Sequence, residues 1–267
     1  MTFVPITDAE IDVDSPVTQV LMTKYRDNIN AIGLRGVATP KILGVPYNRQ
    51  VFTASGTWTK PSNAETGDTV IVWGVGGGGA GAKSSGNAEA GGANGGAGFL
   101  WRITDIDALA ATETIVIGSG AASRTSNGDG SDGGNTSFAT SGQDGYCRFA
   151  GGNGGLDAND ATPVTEIQSY STLLSANVTT FWQEGRGASS GTSNQVAGSS
   201  IWGGGGGGHS SGTLGGFSSN AGHGGAGSSA SNGGSGAFPG GGGGGSKDGN
   251  SGAGAAGYMV VYSVKEG

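Results

Sequence analysis

Three patterns of apolar and polar positions run along this chain. The first is helical. Val17, Leu21, Tyr25, Ile29 and Ile32 recur at helical spacing, with Lys24, Arg26 and Asp27 on the opposite side. Asp14-Ser15-Pro16 supplies a capping side chain followed by Pro in the first turn, and Gly33 ends the run. This predicts one amphipathic helix whose apolar stripe must be covered, either by an assembly partner or by its own domain. The second pattern is that of short strands. Val51-Phe52, Thr57-Trp58-Thr59, Thr69 to Trp73, Phe99 to Ile103 and Thr112 to Ile117 are β-branched and aromatic runs broken by turn residues. Further short strands are expected at Thr136 to Phe138 and Tyr146 to Phe149, and a last one at Tyr258 to Val264. If that last strand pairs with the first ones, the glycine-rich stretch before it is an excursion from one sheet.

The third pattern is the near absence of apolar side chains. Of 267 residues 60 are Gly, against 34% hydrophobic and 12% charged, about three times ordinary glycine usage. Gly203–Gly208 and Gly240–Gly245 are runs of equal length, and a shorter one spans Gly76–Gly79. A flexible linker joins two bodies, yet only one strand follows Gly257, and Ile201, Trp202, Leu214, Phe217 and Phe238 interrupt the glycines. The expected alternative is a bundle of polyglycine II helices, each long run spanning about 19 Å at ~3.1 Å per residue. Without Cβ atoms such rods approach closely, and lateral bonds satisfy their backbone groups. Collagen is disfavoured, because there is no strict Gly-X-Y period and only 7 prolines occur.

The expected fold is mostly β: a small β-sandwich-like domain carrying a polyglycine II bundle, with a short N-terminal α-helix. Its parts are an attachment segment (1–47), a β-rich domain (48–150), a glycine-rich region with loops (151–257) and a returning C-terminal strand (258–267).

Charge and motifs narrow the function. Net charge is −7 with few basic clusters, so nucleic acid is not an expected partner. No apolar run is long enough to insert in a membrane, and Met1 to Ser15 lacks a signal-peptide core. Cys147 is the single cysteine, so no intrachain disulfide forms, and a buried apolar role is expected. Gly74, Gly76 and Gly79 match a dinucleotide-binding spacing, but no helical period follows. Gly76 to Ser84 misses the phosphate-loop spacing because Ala82 separates Gly81 from Lys83. Asn127 to Gly133 offers oxygen ligands for Ca²⁺, yet Asp132 stands where an EF-hand loop needs Gly, so a solvated turn is expected. His209 and His223 are the only histidines and are expected to be exposed. Neither a Ser/His/Asp set nor a carboxylate pair has supporting context; Asp144 and Glu184 are not tied to one cleft. The chain is therefore expected to be non-enzymatic, with no cofactor and no bound metal. Trp182 and Trp202 serve either as core or as binding anchors.

Several segments carry a family resemblance. Val51-Phe52-Thr53-Ala54-Ser55-Gly56-Thr57-Trp58-Thr59-Lys60-Pro61, then Val70-Ile71-Val72-Trp73-Gly74 and its glycine run, resembles the glycine-rich domain of many phage tail proteins. Gly133 to Phe138 is similar to a second signature of that family, and Gly257 to Tyr262 to its last strand. Ile6 to Glu10, through Asp27-Asn28, resembles the leading segment of short phage virion proteins. The glycine runs resemble the polyglycine II adhesins that tip the tail fibres of T-even-type phages. The N-terminal helix departs from those adhesins and leaves open a fibre tip, a fibre or a homotrimer.

The resemblance implies a virion location, exposed to the extracellular medium, and recognition of a bacterial surface receptor, either an outer-membrane protein or a polysaccharide. The N-terminal segment would bind other tail proteins. Expected receptor contacts are Trp182, His209, Phe217, His223 and Phe238. The alternative is a purely structural collar, decoration or fibre-shaft protein that binds only virion proteins.

Overall fold

A computed structural model describes residues 22–27, 46–85, 89–139, 147–157, 178–185 and 197–265. The chain divides into two compact units, Met1–Val45 and Pro46–Glu266. In the first, residues 22–27 are helical, with Met22 and Tyr25 exposed. Val17, Leu21, Ile29 and Ile32 lie outside the described residues.

The second unit is mostly β. Its strands are β1 (Pro46–Phe52), β2 (Gly56–Thr59), β3 (Thr69–Val75), β4 (Gly98–Ile103), β5 (Thr112–Val116), β6 (Thr136–Ala139), β7 (Cys147–Phe149), β8 (Val178–Gly185) and β9 (Tyr258–Val264). They build a five-stranded sheet in the order β1-β9-β3-β4-β8 and a four-stranded sheet in the order β2-β5-β6-β7, all antiparallel. The closing strand β9 thus lies between β1 and β3, as its apolar pattern predicts. Strand β8 falls inside the region read from sequence as glycine rods and loops. It instead extends the sheet, with Leu100 of β4 opposite Phe181. Between β4 and β5 lies a single 3-10 turn, Ile106–Ala108, capped by Asp105.

Alternation along the strands builds the core. On β5, Glu113 and Ile115 are buried while Thr112, Thr114 and Val116 are exposed. Val70, Val72, Trp101, Ile103, Met259 and Val261 from the larger sheet join Trp58, Ile115, Phe138, Cys147 and Phe149 from the smaller. Trp58 meets Phe138 edge to face, with ring centroids 5.6 Å apart. Each such side chain contributes about 1.5–3 kcal/mol by leaving water. Gly74 admits the Phe149 ring, because a Cβ there would lie 2.5 Å from Phe149 Cε2. At the sheet edge the Gln50 carboxamide behaves like a strand: its Nε2 donates to Thr59 O at 2.7 Å and its Oε1 accepts Thr59 N–H at 3.2 Å. One side chain thereby ties β1 to β2. Cys147 is fully buried, and burial pushes its thiol far above the ordinary range.

From the ends of these strands, glycine-rich segments run away from the sheets and return. Residues 76–84 leave directly from β3, and 250–257 lead directly into β9. Their backbone groups bond sideways with a three-residue rhythm. The N–H groups of Gly76, Gly79 and Ala82 donate to the carbonyls of Ala97, Asn94 and Gly91. Those of Gly77, Ala80 and Lys83 donate to Gly134, Ser131 and Gly128. Those of Gly78 and Gly81 donate to Ala255 and Gly252. Each segment thus turns a new side to a neighbour at every residue and repeats after three.

Segment 240–246 is the most enclosed. It donates to three segments: Gly242 and Gly245 to Gly205 and Gly208, Gly243 and Ser246 to Gly79 and Ala82, Gly241 and Gly244 to Ala237 and Gly234. It accepts from three more: from Ala93 and Gly96, from Gly225 and Ser228, and from Gly252 and Ala255. These bonds measure 2.7–3.0 Å. A Cβ on Gly243 would fall on the Gly252 carbonyl oxygen. Contributions from 76–84, 90–97, 128–135 and 150–157 mean that the lattice is shared between the β-rich and the glycine-rich parts of the sequence.

Candidate functional site

Serine organises the turns between glycine segments. Ser200, Ser218, Ser228 and Ser246 each accept, through Oγ, the N–H of the residue three positions later, at 2.9–3.0 Å. The turns also lock in pairs. Ser218 Oγ donates to Gly203 O at the sheet end, and Ser246 Oγ donates to Ser231 O at the far end, both at 2.7 Å. A serine hydroxyl can accept and donate at once, so one small side chain satisfies two backbone groups.

A different side-chain ladder borders the lattice at 129–135. Asn135, Asp132 and Asp129 accept, through Oδ1, the N–H groups of Gly151, Gly154 and Asp157, at 2.7–2.9 Å. Donors and acceptors are both spaced by three. The oxygens considered for Ca²⁺ from the sequence are thus engaged in edge pairing, and among the described residues no group of three His, Cys, Asp or Glu side chains gathers for a metal.

The three-residue rhythm also decides which side chains face water. Leu214 and Phe217, His223 and Ala226, and Asn232, Ser235 and Phe238 are exposed on three successive segments, 213–217, 221–228 and 232–238. These segments are neighbours: Gly224 N–H donates to Gly216 O, Gly227 to Thr213, Gly234 to Ala226 and Ala237 to His223. Phe217 and His223 meet edge to face at 5.3 Å. Phe238 meets Tyr258 at 5.7 Å, and Tyr258 meets Trp73 at 5.3 Å. An aromatic row therefore runs from the lattice onto the larger sheet. Residues 197–246 contain no Asp, Glu, Lys or Arg, so the lattice part of this surface carries no permanent charge. His223 Nδ1 accepts the Ser218 N–H at 2.9 Å, which leaves the proton on the exposed Nε2.

Three of the sequence-derived contact residues, Phe217, His223 and Phe238, thus lie on adjacent segments of one exposed face. His209 does not. The expectation that it is exposed is corrected: it is 4% exposed, in the far-end turn that joins 203–208 to 213–217. Its Nδ1 accepts the Ser211 N–H at 3.1 Å, so the proton sits on Nε2, 3.5 Å from Glu89 Oε2. Burial lowers its pKa, partly opposed by Glu89. Ser210 fastens the same turn to Ala90 by bonds in both directions, 2.8 and 2.9 Å. Trp182 lies on β8, and its side chain is outside the described residues. Leu214 (68% exposed) and Ile201 (59% exposed) join the surface although sequence reasoning passed over them as contacts. The spacing 214/217, 223/226, 232/235/238 was the available signal.

Among the described residues no helix is long and apolar enough to cross a membrane. Residues 51–263 match the model of a family described as a glycine-rich domain. No curated protein matches the chain.

Proposed function

The chain belongs to the glycine-rich domain family, and on that premise we propose that it is a bacteriophage tail-fibre or fibre-tip protein that recognises the host cell surface without transforming it. In this reading the two sheets form a small β-sandwich and the glycine segments are polyglycine II helices. The N-terminal segment attaches to other tail proteins. The lattice is a rigid frame for surface side chains, whose ordering cost is met before binding.

The observation that carries the reading is the uncharged face of Leu214, Phe217, His223, Asn232, Ser235 and Phe238. Exposed apolar patches rimmed by polar residues mark interaction sites, and aromatic anchors carry much of the binding energy at such sites. The same observation favours recognition over a purely structural role, because the face sits on the lattice and away from the N-terminal segment in sequence.

Competition tests this. Added purified chain should block adsorption of a phage that carries it, and Phe217→Ala with Phe238→Ala should remove the block while the protein stays folded. Unchanged adsorption in the presence of saturating chain favours the collar, decoration or shaft alternative.

A further inference from the structure

A second cluster lies on the other side of the β unit, where β3 begins and β9 ends. Lys265 Nζ stands 3.0 Å from Asp68 Oδ2 and 3.3 Å from Glu65 Oε1, and donates to Asn63 O at 3.0 Å. Asp68 is fully buried and Lys265 is 7% exposed. Asp68 Oδ2 also receives the Tyr47 O–H at 2.9 Å and the Glu65 N–H at 2.8 Å. The other oxygen, Oδ1, is buried without a hydrogen-bond partner. The Lys265 ammonium lies 4.9 Å from the Tyr47 ring centroid. Burial, and then the bond to Asp68, push the Tyr47 phenol far above its ordinary range, which keeps it a donor.

As an ion pair alone this arrangement is costly, because both charges leave water and one carboxylate oxygen is left unsatisfied. The same contacts bring together the groups that amide formation needs. An amine touches a carboxyl group in a dry site, a second carboxylate touches the amine, and two donors hold one carboxyl oxygen. We propose that Lys265 and Asp68 form an autocatalytic isopeptide cross-link, with Glu65 as the proton-transfer group.

Glu65 takes a proton from the Lys265 ammonium and passes it to Asp68 Oδ1. The freed amine attacks Asp68 Cγ, and the new C–N bond puts negative charge on Oδ2. The Tyr47 O–H and the Glu65 N–H hold that charge, as an oxyanion hole does. Glu65 carries a second proton from nitrogen to Oδ1, the C–Oδ1 bond breaks, and one water leaves. An ammonium and a carboxylate become one amide and one water, with nothing oxidised or reduced. Contact between the partners supplies an effective concentration on the order of 10⁵–10⁸ M for a well-aligned pair. Glu65 is 54% exposed, which gives protons and water a route to solvent. The reaction happens once per chain.

Its consequence follows from position. Asp68 precedes β3 and Lys265 follows β9, so the amide encloses the whole glycine lattice in one covalent loop. The two strands from which the lattice departs and to which it returns are then tied together at their opposite ends. This inference is independent of the virion reading.

Intact-mass spectrometry of the full chain is the test. The wild type is expected one water lighter than its sequence mass, and fragmentation is expected to yield a branched peptide joining residues 68 and 265. Asp68→Ala and Lys265→Arg are expected at full mass. Glu65→Gln, on a half-exposed side chain, is expected to fold and to lose most of the cross-link. A wild-type mass equal to the sequence mass, both fresh and after prolonged warm incubation, overturns the proposal. So does a water loss that persists in Lys265→Arg. Full cross-linking in Glu65→Gln overturns the role given to Glu65.

Discussion

The backbone N–H of Gly243 donates to the carbonyl of Gly79 at 2.9 Å, and one three-residue turn later Ser246 repeats the bond to Ala82 at 3.0 Å. Two segments from opposite ends of the β unit are thereby laced together with no side chain involved. Each bond contributes only about 1 kcal/mol net, and glycine loses more backbone freedom on folding than any other residue. Stability must come from many such bonds made together, which is why the positions of greatest enclosure matter most.

Gly243→Ala is expected to be among the most damaging single changes. Its Cβ would fall on the Gly252 carbonyl oxygen, which is backbone and cannot swing aside. Overpacking of this kind costs about 1–3 kcal/mol or more. Exposed Ala226, exchanged for Ser, should stay within about 0.5 kcal/mol of the parent. Chemical unfolding of the two variants side by side checks the contrast, and equal midpoints would contradict the lattice geometry.

Amide exchange should divide the glycine runs by position. Gly241 to Gly245 all donate to backbone carbonyls and are buried, so they should exchange as slowly as the central strand β3. The amides of Ala230 and Asp248, in exposed turns, should exchange much faster. Mass spectrometry of peptic fragments resolves these stretches, and uniformly fast exchange across 240–246 would show a tether in place of a lattice.

Ser246→Ala removes an acceptor for the Gly249 N–H and a donor to Ser231 O. The loss expected is about 1–2 kcal/mol. Ser246→Thr, which keeps the hydroxyl, should recover part of it unless the buried site rejects the methyl group. Thermal denaturation of the pair separates the hydrogen bonds from general crowding.

His209 makes the far-end turn sensitive to acid. Burial favours its neutral form, so its folded pKa lies below the ordinary 6.5. The contribution to stability is therefore complete above about 6.5 and is lost as the pH falls from there toward the depressed folded value. Protonation of Nδ1 would also set a second donor against the Ser211 N–H. Melting temperatures across this range should show the drop, and His209→Asn should flatten it.

Asp132→Ala should cost about 1 kcal/mol by stranding the Gly154 N–H. A calcium chelator should leave the melting temperature of the parent unchanged, because the ladder oxygens already have backbone partners.

Much of the β unit was legible in the amino-acid order, since its strands alternate or run apolar in the usual way. Val70, Val72 and Trp73 announce β3, and Tyr258 to Val264 announce β9. The candidate face was half legible. Phe217, His223 and Phe238 stand out as bulk among glycines, but exposed and buried positions follow a three-residue rhythm instead of the familiar periods of two or 3.6. His209 shows the cost. A histidine beside a glycine run reads as a surface residue, and only the seating of its turn against Glu89 and Ala90 buries it.

The order of residues by itself determined that this protein is a β domain with glycine segments able to pack without Cβ atoms, because apolar periodicity and side-chain absence are local properties. Which segment lies beside which was decided only in the tertiary structure. Glycine runs are identical to one another in composition, so their pairing is set by the strands that launch them, the serine turns that reverse them and the backbone bonds they make across the lattice. The approach of Lys265 to Asp68 has the same origin: β9 enters the sheet beside β3, and that register brings the two residues together.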